Sequence, residues 1–136
     1  MQAAFALIKL KYIDEWTNTH ISIAGRYSEG LNEKIIRPKL RTNFKDVFHN
    51  YIITVDPSLR NKFIKELMKS GVESKIHYPI PIHLQKCAEK LAYKKGSLPN
   101  CERLCNSIIS LPIYHTLTDE EIEFVISSVN SVNESL

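Results

Sequence analysis

Glycine is scarce in this sequence: there are four in 136 residues, and only Gly25 and Gly30 stand near each other, with no Lys-Ser or Lys-Thr after them. A phosphate-cradling loop needs several glycines in quick succession, so neither a dinucleotide fingerprint nor a P-loop is available. There is no G-x-S-x-G elbow, no H-E-x-x-H pair and no C-x-x-C pair. These absences remove common hydrolase, metalloprotease and redox signatures. Cysteine is limited to Cys87, Cys101 and Cys105. An odd count at loose spacing argues against a disulfide framework. Two thiols four residues apart, without further ligands, do not make a zinc site. Cys101 and Cys105 are expected to be small apolar residues on a buried helix face. Free thiols fit a reducing compartment, so the chain is expected in the cytoplasm.

Charge of one sign is also lacking. Eighteen Lys and Arg against fifteen Asp and Glu give a net charge of +3, too little for the dense basic stripe that nucleic acid requires. The densest basic run, Arg37-Pro38-Lys39-Leu40-Arg41, reads as a solvated strand edge, with a phosphate contact as the alternative. Long hydrophobic runs are missing too. Residues 3–8 are apolar, but Lys9 and Lys11 cut the run short, so neither a membrane span nor a signal peptide is expected. What remains is 43% hydrophobic and 24% charged, ordinary for one globular domain able to bury a core.

The first thirty residues read as one long helix, with Ala4, Leu7, Ile8, Tyr12, Trp16, Ile23 and Tyr27 near helical spacing and Gly30 as the stop. The apolar pattern starts at once, with no Ser, Thr, Asp or Asn to cap it. Met1 is therefore expected to be an internal residue of a longer protein. Residues 35–40 form a strand candidate demoted to an edge by Pro38. Residues 47–55 are the best strand, rich in β-branched and aromatic side chains. Asp56 and Pro57 then open a helix carrying Leu59, Phe63, Ile64 and Leu67 inward and ending at Gly71. Residues 72–76 suggest a second strand, and strand–helix–strand suggests a crossover unit.

Two prolines exclude a helix in His77-Tyr78-Pro79-Ile80-Pro81-Ile82-His83. The segment is a stiff, extended loop. It presents His77, Tyr78 and His83 at low entropic cost, which makes these three the candidate substrate contacts. The bland alternative is a connection in which Tyr78 packs inward and one histidine caps the next helix. The other histidines, His20, His49 and His115, read as surface or packing residues. Short helices are expected over residues 84–92 and 99–108, and an extended piece over 110–114. Thr118-Asp119-Glu120-Glu121 is a capping box that opens a last helix with Ile122, Val125, Ile126 and Val129 on one face. The fold class is α+β: a small antiparallel or mixed sheet covered by helices, with a long N-terminal helix.

Several segments carry a family resemblance. They are Gln2-Ala3-Ala4, Lys9-Leu10-Lys11-Tyr12, Trp16 and Arg26-Tyr27; the loop from His77 to His83; Tyr93-Lys94-Lys95-Gly96 with Pro99 and Glu102-Arg103-Leu104; Ser110-Leu111-Pro112-Ile113-Tyr114; and Leu117-Thr118-Asp119-Glu120-Glu121-Ile122. In this order they resemble the C-terminal part of the DegT/DnrJ/StrS sugar aminotransferases. The resemblance implies the small domain of the aspartate aminotransferase fold, with residues 1–31 as the interdomain linking helix and 32–136 as the small C-terminal domain. It implies a homodimer that uses pyridoxal phosphate to move an amino group from an amino acid, usually glutamate, to a nucleotide-linked keto-sugar. It also implies that the loop from His77 to His83 faces the cofactor pocket.

The sequence departs from the family in one respect. The lysine that anchors the cofactor belongs to a Ser-x-x-Lys segment, and none of the thirteen lysines here stands in such a setting. The aspartate that pairs with the cofactor's ring nitrogen is missing as well. No residue is therefore named catalytic, and the chain alone is expected to bind no cofactor. Two readings stand: a fragment of an aminotransferase, inactive alone, or a non-catalytic small α+β domain that binds a ligand or partner.

Overall fold

The computed structural model describes residues 1–39, 41 and 43–136. The N-terminal helix is two helices. α1 spans Gln2–Leu10 and α2 spans Ile13–Gly30. At the break the Lys11 and Tyr12 amides donate three residues back, to Ile8 and Lys9 (3.3 and 3.0 Å), instead of four. This tightened turn ends the α ladder where unbroken periodicity had suggested one helix. Burial begins beyond the break, at Trp16, after fifteen exposed residues. Ile23, Ala24 and Tyr27 of α2 are in the core, whereas α1 buries nothing. Asn130 ties the far end of α2 down, accepting from the Asn32 amide (2.8 Å) and donating to the Gly30 carbonyl (2.9 Å).

The sheet is antiparallel. β1 (Tyr51–Thr54) pairs with β2 (Ile108–Leu111), with Tyr51 opposite Leu111 and Ile53 opposite Ile109. Alternation puts these four side chains on one face, where helices cover them. These are α2, α3 (Arg60–Lys69, burying Phe63 and Leu67) and α5 (Asp119–Ser135, burying Ile122, Val125, Ile126, Val129 and Val132). The helix α4 (Pro99–Ser107) leads directly into β2. The expected strands on either side shrink to single bridges, Ile36 to Thr54 and Lys75 to Ser110, both antiparallel. Leu40, at the end of the first of these, lies outside the described residues. β1 and the Lys75 segment are thus parallel to each other but separated by β2, so the crossover is split by an intervening strand. The β-rich stretch 47–55 forms a ladder only over Tyr51–Thr54.

Local rules explain most boundaries. The capping box of α5 forms: Thr118 accepts from the Glu121 amide (3.2 Å) and Glu121 accepts from the Thr118 amide (2.9 Å). Asp56 does not cap α3 directly. Its carboxylate holds a turn by accepting from the Ser58 amide at 2.7 Å. α3 then starts at Arg60, four residues later than Asp56. The Arg37 guanidinium is not a solvated strand edge, because it donates to the Leu31 carbonyl (2.5 Å) just beyond α2. Arg41 pairs with Asp46 at 2.6 Å and lies over the Phe44 ring at 4.4 Å. The thiols also depart from expectation: Cys87 and Cys101 are exposed and Cys105 is half-buried. α4 turns its Cys101 side away from the core, burying only Ser107.

Candidate functional site

The loop from His77 to His83 forms an arch with both feet inside the protein. At the near foot, His77 is half-buried and its Nδ1 lies 3.0 Å from Ser110 Oγ. Ser110 lies on the sheet face opposite Ile109 and Leu111, so this foot stands on β2. At the far foot, His83 is 7% exposed and its Nε2 lies 3.2 Å from Glu102 Oε1 on α4. A carboxylate only accepts, so Nε2 carries the proton. The Tyr93 ring meets the His83 ring edge-on at 6.0 Å. Between the feet, Tyr78, Ile80 and Ile82 are exposed, Tyr78 by 72%, while Pro81 is buried. The peptide bond between His77 and Tyr78 is cis.

The arch is braced from below. Gln85 Nε2 donates to the Ile80 carbonyl at 3.1 Å, and the Leu84 amide to the Pro81 carbonyl at 2.9 Å. The chain continues in two short 3-10 helices, Ile82–Leu84 and Lys86–Leu91, in place of the single α-helix expected there. Of the three candidate contacts, His77 and Tyr78 stay together, with rings 5.7 Å apart. His83 is turned inward onto the Glu102 carboxylate and caps no helix, and Tyr78 is not packed inward. Glu102, Ser110 and Gln85 were not recognised as braces from the sequence. The histidine partners of Glu102 and Ser110 lie 19 and 33 residues away, beyond the reach of periodicity or motif spacing, whereas Gln85 bonds back across five residues.

Beside His77 opens a cavity of about 470 Å³. Its floor is apolar, including Val72, Leu111, Ile113 and Val125, and its rim carries His49, Asn50, Glu73, Lys75, Tyr114 and Glu121. Phosphate binding calls for converging donors and positive charge. Among the described residues the only lysine here is Lys75, whose ammonium is solvated and lies 3.4 Å from the Glu73 carboxylate. With Glu73 and Glu121 in the wall, the residues present do not fit pyridoxal phosphate. No group of three or more His, Cys, Asp or Glu able to hold a metal occurs among the described residues. No described helix is long and apolar enough to cross a membrane.

The profile of the DegT/DnrJ/EryC1/StrS aminotransferase family matches residues 1–130. The chain belongs to this family. A "Pleiotropic regulatory protein" of Geobacillus stearothermophilus is 30% identical over 133 residues, which is 95% of this chain and 35% of that protein. The dTDP-3-amino-3,6-dideoxy-alpha-D-galactopyranose transaminase of Aneurinibacillus thermoaerophilus is 32% identical over 131 residues, 96% of this chain and 35% of that one. The crystal structure of DesV from S. venezuelae superposes on all of this chain, with a TM-score of 0.93 and 29% identity, across 37% of its own length. The chain thus spans about a third of the length of the DegT/DnrJ/EryC1/StrS relatives it matches. Among the solved relatives, NtdA from Bacillus subtilis holds the cofactor PMP and the sugar aminotransferase Spr1654 from Streptococcus pneumoniae has a PLP form.

Proposed function

We propose that the chain is the small C-terminal domain of a pyridoxal-phosphate-dependent aminotransferase, with residues 1–31 as the helix that links it to a large domain. The whole enzyme, a homodimer, moves an amino group from an amino acid such as glutamate to a nucleotide-linked keto-sugar. The observation that carries this reading is the family match over residues 1–130. Cofactor and anchoring lysine belong to the large domain, so the chain alone is inactive and no step of the amino transfer is assigned to its residues. Its own part is to orient the sugar nucleotide. The exposed Tyr78 hydroxyl donates to a phosphate or sugar oxygen, and the His77 ring beside it fixes the tyrosine's edge.

The test uses the enzyme rebuilt with its large domain, carrying Tyr78→Phe. Losing one such hydrogen bond costs about 1 to 3 kcal/mol, or roughly 5- to 150-fold in kcat/KM for the sugar nucleotide. The glutamate half-reaction should be nearly spared. Equal losses in both half-reactions would make the loop structural and sink the reading.

A further inference from the structure

Glu102 gathers three donors from two separate segments, the arch's far foot and the turn before α4. Its Oε1 accepts from His83 Nε2 (3.2 Å), from the Gly96 amide (2.8 Å) and from the Leu98 amide (3.3 Å), and its Oε2 lies 2.9 Å from the same Gly96 amide. The two side chains are shielded from solvent, with 13% exposure for Glu102 and 6% for His83. The carboxylate sits in the first turn of α4, one turn beyond Leu98, the residue before the helix. From there it reaches back over a turn that Gly96 makes possible at φ +92. These donors hold its pKa below the usual carboxylate range, the Gly96 amide most of all and the His83 ring next among them. Such a cluster exceeds what a first-turn acid needs to complement a helix end. It fastens the strip that returns from the arch to the start of α4.

We propose that Glu102 is the positioning residue of the arch. By holding His83 on its Nε2–H tautomer and fixing Gly96 and Leu98, it keeps Tyr78, Ile80 and Ile82 in one presented geometry. That this geometry serves a sugar nucleotide rests on the reading above; the positioning does not. The near foot on Ser110 leaves a single hinge. Only with the far foot closed as well is the span between the feet a fixed arch. The two prolines restrict its internal rotations, but they do not fix where it ends. Glu102 does.

The experiment uses the 136-residue chain labelled with ¹⁵N. In the unsubstituted chain the His83 ring nitrogens should report the Nε2–H form, and amide order parameters at Tyr78, Ile80 and Ile82 should lie near about 0.85. Glu102→Ala should lower those three below about 0.6, release the His83 tautomer, and leave the amides of Leu67 and Val129 as they were. Glu102→Gln keeps an acceptor and should restore most of the order. Should Glu102→Ala fail to fold, His83→Ala cuts the same link, and the three arch amides should loosen in it. Arch amides that stay ordered in the folded variants overturn the proposal, as does a His83 ring protonated at Nδ1 alone in the unsubstituted chain. These readouts do not involve the sugar nucleotide. An arch that loosens while Tyr78→Phe leaves turnover untouched would support the positioning and remove the substrate reading.

Discussion

Tyr27 and Pro112 meet across 85 residues of sequence: the phenol of α2 donates to the proline carbonyl at 2.7 Å. The ring is fully buried and meets Tyr51 edge-on at 5.1 Å, while the Tyr51 hydroxyl lies 3.0 Å from Ser28 Oγ. The bond joins the first core helix to the chain just after β2. Tyr27→Phe keeps the ring and removes the donor, leaving a part-buried carbonyl without its partner. It should lower unfolding stability by about 1 to 2 kcal/mol, measured by urea denaturation with an unchanged slope.

The same pair predicts alkaline sensitivity. Burial raises the Tyr27 and Tyr51 pKa values above the ordinary 10.0. An acid with a raised folded pKa holds its proton longer when folded. Its contribution is therefore complete below pH about 10 and is lost as pH rises further. Denaturation midpoints should be level up to about pH 9 and fall beyond about pH 10, with a shallower fall in Tyr27→Phe. A midpoint that rises in that range would contradict the burial of these rings.

His20 should act at the acid end. Burial lowers its pKa below 6.5, and His115 and His49 lower it further, against an opposing effect of the Val47 carbonyl. Its buried Nε2 has no hydrogen-bond partner among the described residues. A base with a lowered folded pKa takes up protons more readily unfolded, so stability is full above pH about 6.5 and falls below it. Titrating the urea midpoint from about pH 8 to 5 should show that fall, and His20→Phe should flatten it.

Pyridoxal phosphate added to the chain should leave no borohydride-trappable adduct concentrated on one lysine. The cavity's single described lysine faces a carboxylate rather than an anion site. Peptide mapping after reduction checks this, and stoichiometric labelling of any one lysine would refute it.

α1 presents Phe5, Leu7, Ile8 and Leu10 to solvent, and Tyr12 and Ile13 extend the patch. Contiguous exposed apolar surface drives association. Sedimentation velocity should show concentration-dependent self-association, relieved by Phe5→Glu together with Ile8→Glu. A monomer that persists at high concentration would count against it.

The α+β class, the capping box of α5, the inward residues Phe63 and Leu67 and the stiff loop were legible because each depends on neighbours in sequence. A capping box spans four residues and a helix face about seven. The split crossover was not legible, because β2 inserts between two strands that precede it and no local pattern records that. The break at Lys11 and Tyr12 was hidden by apolar spacing that continues through it. Burial of the two loop histidines was likewise unreadable. His77 and His83 look alike in sequence, yet Ser110 and Glu102 decide that one borders the cavity and the other is turned inward.

The central place of β2 in the sheet also governs when the fold can be completed. Its partners, Tyr51–Thr54 and Lys75, are made first, and neither can pair with the other. Both wait for residues 108–111, so the sheet closes only after a loop of more than thirty residues has been gathered. Loop closure of that kind precedes the contacts that reward it and slows folding relative to helical hairpins. On the ribosome, the apolar side chains Ile52 and Ile53 remain unpaired strand for the whole interval. Assistance during synthesis is therefore most needed between the emergence of β1 and that of β2.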